Sequence, residues 1–85
     1  MTESKFQNKL IRQLEDEGYY VLKLIKTNKN GIPDLLALKS GEPPRFIEVK
    51  GPKTPVAVLQ EYRIKELNEL GFNAKIQRYE SKGKI

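Results

Sequence analysis

Two short motifs carry groups that could do chemistry together: Gly31-Ile32-Pro33-Asp34, and further along the chain Glu48-Val49-Lys50. Two carboxylates and an ammonium arriving on neighbouring strands could hold a divalent cation and aim a water at a phosphodiester. Two residues apart on one strand, Glu48 and Lys50 point to the same face while Val49 goes to the other. The carboxylate is then placed to ligate a metal, and the lysine to stabilise an attacking hydroxide or the charge growing on a phosphate. Asp34 closes the site from the next strand, with Pro33 fixing φ just before it and Gly31 permitting a tight approach.

The chain has no histidine and no cysteine. Disulfides, zinc clusters and histidine- or cysteine-based triads are therefore excluded. Any metal must be held by oxygen, which favours Mg²⁺ or Mn²⁺, cations that keep some waters and share their coordination with a phosphate. Sixteen Lys and Arg against eleven Asp and Glu give a net charge of +5, which suits a polyanionic partner. At 85 residues the chain is read as one domain, 1–85, small enough that a partner subunit would add to its stability. No apolar run approaches membrane-spanning length, and Met1-Thr2-Glu3-Ser4-Lys5 lacks the hydrophobic core of a signal peptide, so a cytoplasmic protein is expected.

The positioning elements follow from periodicity. Phe6, Leu10, Ile11 and Leu14 form a single helical stripe between Thr2 and Glu17, ended by Gly18. Tyr19 to Thr27 reads as a strand, followed by the turn-forming Asn28-Lys29-Asn30-Gly31. Leu35 to Lys39 and Arg45 to Lys50 flank Ser40-Gly41-Glu42-Pro43-Pro44, the pattern of an antiparallel hairpin. Pro52 and Pro55 break the last of these strands, and Thr54 or Pro55 is a plausible helix start. A helix fits Val56 to Leu70, with Val56, Leu59, Gln60, Arg63, Ile64, Leu67 and Leu70 on its inward face and Gly71 at its end. Phe72 to Tyr79 alternates as a half-buried strand, and Ser81 to Ile85 reads as a frayed tail. The order is helix, three strands, helix, strand.

The hairpin register decides whether the motifs meet. Asp34 shares a face with Glu48 when opposed residues have numbers summing to an even value such as 82 or 84, and a turn near Gly41 gives roughly that sum. One face then carries Asp34, Leu36, Leu38, Phe46, Glu48 and Lys50, and the other Leu35, Ala37, Ile47 and Val49. Both faces are apolar and both need cover, part of which a second copy of the chain could supply. An acid-x-lysine triplet alone arises by chance on the order of once in two chains of this length. A solvated Glu–Lys pair contributes only about 0.2 to 1 kcal/mol. The conjunction of both motifs, their shared face and an inward Gln60 is what points to a site.

These residues, with Gln60 on the second helix and Gly71 closing it, resemble the VRR-NUC branch of the PD-(D/E)XK nuclease superfamily, most of all its small stand-alone members found in phages. The resemblance runs from Glu3 to about Ile76. It implies an α/β, restriction-endonuclease-like αβββαβ core, a mixed central sheet flanked by helices, shared with Holliday junction resolvases. It further implies an Mg²⁺- or Mn²⁺-dependent endodeoxyribonuclease, a homodimer able to cut four-way or otherwise branched DNA, working in the host cytoplasm if phage-encoded. Carried over, the metal acids fall on Asp34 and Glu48, the catalytic lysine on Lys50, and a further metal ligand on the backbone carbonyl of Val49. The family's first-helix acid falls on Glu3, as catalytic group and metal ligand, with Gln7 as the fallback. Gln60 matches the family's helix glutamine, where it could orient the water, the lysine or the substrate. Lys26, Lys29 and Lys53 are candidates for phosphates on either side of the scissile bond. Arg63 is read as a snorkelling or ion-paired side chain, and Tyr19 and Tyr20 as packing residues. The rival readings are a DNA-binding module with the nuclease fold but no turnover, and a structural subunit that docks through its sheet face.

Overall fold

A computed structural model describes residues 1–79. Its elements are α1 (Glu3–Asp16), β1 (Tyr20–Lys23), β2 (Leu35–Leu38), β3 (Arg45–Lys50), α2 (Val58–Glu69) and β4 (Asn73–Arg78). The strands form one mixed sheet in the order β1-β2-β3-β4, antiparallel across the first two pairings and parallel between β3 and β4. This is the αβββαβ arrangement expected from the order of the elements.

Thr2 caps α1, its hydroxyl accepting from the Lys5 amide at 3.1 Å. The helix ends at Gly18, whose φ of 97° lets the chain reverse toward β1. Between those ends Phe6, Leu10, Ile11 and Leu14 pack on one sheet face, against Leu35, Ala37, Ile47 and Val49. That face is the core. Ile47 is 1% exposed at its centre. Ile47→Ala is therefore expected to lower the unfolding free energy by about 2 to 5 kcal/mol, read as a lower urea midpoint at unchanged slope.

The opposite face is covered less evenly. α2 packs against β4, burying Leu67 and Ala74, and Asn68 brackets Ala74 by donating to its carbonyl at 3.0 Å and accepting from its amide at 2.8 Å. Tyr20 and Leu22 on β1 stay exposed. Three expectations are corrected here. β1 stops at Lys23 rather than Thr27, because β2 is only four residues long and the last rung is the Leu24 amide on the Asp34 carbonyl at 2.8 Å. α2 starts at Val58 rather than at Val56, after an extended Ala57. Its inward stripe is also narrower, with Leu59 42% and Leu70 66% exposed. The expected tail, Ser81 to Ile85, lies outside the described residues.

Alternation of strand direction has one consequence for the site. The loop joining β1 to β2, the end of β3 and the loop leading into α2 all lie at one end of the sheet.

Candidate active site

In the β2–β3 ladder Leu35 faces Ile47 and Leu36 faces Phe46, so opposed numbers sum to 82. Continued by one and two rungs, that register sets Asp34 opposite Glu48 and Pro33 opposite Val49. The ladder breaks there for a chemical reason. Val49 turns both its N–H and its C=O toward β2, since a strand residue presents both groups on one side. Fully buried Pro33 has no N–H to offer that carbonyl. The Val49 N–H is taken instead by the Asp34 side chain, donating to Oδ2 at 2.9 Å. Asp34 is thereby held beside β3, and the Val49 carbonyl stays out of the ladder. Register parity combined with the position of the proline is the signal in the sequence from which this break can be found.

Glu48 is 4% exposed. Its Oε2 accepts from Gln60 Nε2 at 3.2 Å and lies 3.7 Å from Lys50 Nζ, whereas buried Oε1 has no partner among the described residues. Burial and the neighbouring Asp34 carboxylate push the Glu48 carboxyl up to about 7; Lys50 pulls it down and Glu3 adds a smaller upward push. A buried carboxylate with one bare oxygen beside a second acid is a place where a cation lowers the energy. The groups that could hold one, Asp34, Glu48 and the Val49 carbonyl, all offer oxygen, a donor set that fits Mg²⁺ or Mn²⁺.

Gln60 is oriented by the start of its own helix. Ala57, at the N-cap, has no side-chain oxygen, so only half of a capping box exists: Gln60 Oε1 accepts from the Ala57 amide at 3.0 Å. With its oxygen so engaged, the amide presents Nε2 to Glu48.

Glu3, near enough to push the Glu48 carboxyl up, is held by the loop that follows β3. Its Oε2 accepts from the Gly51 amide at 3.0 Å and the Thr54 hydroxyl at 3.3 Å. Arg78 holds the same loop, donating to the carbonyls of Gly51 at 2.7 Å and Thr54 at 2.8 Å. The structure thus brings Asp34, Glu48, Lys50 and Gln60 together, and ties Glu3 to the loop that follows Lys50. Among the described residues no group of three or more Asp, Glu, His or Cys side chains comes close enough to hold a metal ion. Gln7 makes no hydrogen bond to the site among the described residues. Lys26, Lys29 and Lys53 are exposed on the two loops at the site end of the sheet. Arg63 pairs with Glu66 at 3.0 Å, as expected of an ion-paired arginine, and also donates to the Asn30 carbonyl, which sequence reasoning missed.

Comparison with solved structures finds Hjc from Archaeoglobus fulgidus, a Holliday junction resolvase from an archaeal hyperthermophile, at a TM-score of 0.68 and 18% identity. The likeness covers 95% of this chain and 66% of that one, just under two thirds of its length. It speaks for the fold. No curated protein matches. The sequence pattern of the VRR-NUC domain matches residues 4–78, from α1 through the end of β4. With the fold, the register and this match in agreement, the chain belongs to the VRR-NUC domain family.

Proposed function

We propose that the chain is a single-domain, Mg²⁺- or Mn²⁺-dependent endodeoxyribonuclease of the cytoplasm that hydrolyses phosphodiesters in four-way or otherwise branched DNA. The observation that carries this reading is the buried Glu48 carboxylate, with Oε1 unpartnered among the described residues and Lys50 Nζ 3.7 Å from Oε2. Asp34, Glu48 and the Val49 carbonyl would hold the cation. Glu3 stands at the rim with one oxygen engaged by Gly51 and Thr54. When bound, the metal supplies Lewis acidity and a water of lowered pKa.

The remaining work falls to the chain's own side chains. Lys50 stabilises negative charge as it gathers on the attacked phosphate, where a buried ammonium acts more strongly than in water. Gln60, fixed by Ala57, keeps Glu48 in one orientation. Lys26, Lys29 and Lys53 meet backbone phosphates without reading bases, giving affinity that falls as salt rises. A homodimer is supported by the apolar strip of Tyr20, Leu22, Leu36, Leu38, Phe46 and Phe72, on the sheet face that α2 covers only in part. Two sites related by a two-fold axis suit a branch whose opposed strands must both be nicked. The likeness of the fold to that of a Holliday junction resolvase favours the same substrate class.

The test is direct. Purified protein is incubated with an end-labelled four-way junction and with linear duplex, in Mg²⁺, Mn²⁺ or EDTA. Metal-dependent products from the junction, in excess over linear duplex, are expected; binding without metal-dependent products from either substrate would sink the enzyme reading.

A further inference from the structure

We propose that Arg63 is a positioning residue for this site: it fastens the loop that delivers Asp34 to the helix that carries Gln60. The two acids then keep one spacing because both are referred to the first two turns of α2.

Arg63 Nε donates to the Asn30 carbonyl at 2.9 Å, while Nη1 donates to Glu66 at 3.0 Å. The guanidinium is therefore held at both ends, one end on its own helix and the other on a loop 33 residues away. That loop has little freedom of its own. Thr27 Oγ1 donates to the Lys29 carbonyl at 2.6 Å and accepts from the Lys29 amide at 3.2 Å. Gly31, at φ 81°, lies so close to α2 that a Cβ there would meet Leu59 Cγ at 2.7 Å and the Leu59 backbone at 3.3 Å. Between Asn30 and Asp34 lie only Gly31, Ile32 and buried Pro33. A displacement at Asn30 thus has almost no slack to absorb it before it reaches Asp34.

On the other side of the tie, Gln60, one turn before Arg63, is bonded to Glu48. One helix segment consequently sets Glu48 through Gln60 and Asp34 through Leu59 and Arg63. The β2–β3 ladder does not do this, because it stops at Leu35 and Ile47, and β1 fixes the Asp34 backbone, through the Leu24 amide on its carbonyl, without referring it to Glu48. Asp34 reaches β3 only through its side chain, on the Val49 amide.

That amide supplies the readout. Hydrogen exchange followed by NMR in metal-free protein compares Val49 with Ile47, on the same strand. Arg63→Ala is expected to lower Val49 protection at least tenfold more than Ile47 protection. Arg63→Lys, which keeps a donor for the Asn30 carbonyl, is expected to recover part of that difference. Glu66→Gln, which leaves the Asn30 bond in place, is expected to change it little. With Mn²⁺ as probe, paramagnetic broadening of the Val49 amide should need at least fivefold more metal in Arg63→Ala. For junction cleavage, kcat should fall about tenfold with KM near the wild-type value. Equal loss of protection at Val49 and Ile47 would overturn the proposal and reduce Arg63 to a general stabiliser, as would unchanged Val49 protection. The effect on cleavage rests on the nuclease reading, but the exchange result does not. Selective loss at Val49 in a protein that cuts no DNA would uphold the tie and sink the enzyme.

Discussion

Lys50→Ala is expected to slow metal-dependent cleavage of a four-way junction by about three orders of magnitude, the size found when a preorganised charge-stabilising group is removed. Junction affinity should stay within a few-fold, because in the proposed function the exposed loop lysines, not Lys50, carry the backbone contacts. Two effects combine. The Lys50 side chain is only 13% exposed and shares a face with Glu48, so its charge acts at the phosphate through little water. Lys50 also holds the Glu48 carboxyl down, and without it Glu48 binds its proton more tightly and competes less well for a cation. Lys50→Arg should not restore the rate, since a forked guanidinium cannot occupy the place of a compact ammonium. Initial rates with labelled junction, beside fluorescence anisotropy in Ca²⁺, decide the matter. Cleavage by Lys50→Ala within tenfold of wild type would remove this lysine from the chemistry.

The second large effect has a less familiar sign. Glu48→Gln should abolish cleavage and yet make the metal-free protein more stable at pH 8. The folded state raises the Glu48 carboxyl from 4.5 to about 7, so it binds this proton more tightly than the unfolded chain does. The stability tied to that proton is fully present below pH 4.5 and is lost as pH rises through about 7. The loss has an upper bound on the order of 3 kcal/mol, at about 1.4 kcal/mol for each tenfold gain in proton affinity. In a domain of this size each kcal/mol moves the melting temperature by about 4 to 8 °C. Glu48→Gln in EDTA at pH 8 should therefore melt several degrees above wild type, and the gap should close by about pH 5. Mg²⁺ or Mn²⁺ should raise the melting temperature of wild type and leave that of Glu48→Gln nearly unmoved. A variant that melts lower than wild type in EDTA at pH 8 would contradict the account of Glu48.

Periodicity reached much of this, and its failures have physical causes. A two-residue repeat and a turn near Gly41 are enough to put Asp34, Glu48 and Lys50 on one face and Leu35, Ala37, Ile47 and Val49, all buried, on the other. The stripe of α1 was equally plain, being a single face against a single core. Glu3 was not legible in the same way. Its bonds to Gly51 and Thr54 depend on the conformation of a proline-flanked loop, for which the sequence carries no period. The start of α2 was hidden because Ala57 lacks the side-chain oxygen that marks an N-cap, and Gln60 supplies that bond from inside the helix. Arg63 pointed inward on the wheel, but its partner is a backbone carbonyl, and any residue type could have supplied one.

Pro33 marks the limit of what the sheet does for itself. Any other residue there would bring an N–H that could close one more rung with Val49, a bond contributing about 1 kcal/mol. The hairpin would then be longer, and the Val49 carbonyl would be spoken for. In the language of trade-offs between stability and activity, the chain forgoes a rung in order to own a socket. Selection for a more stable hairpin at this position would erode the site by making the sheet more regular, with neither carboxylate touched.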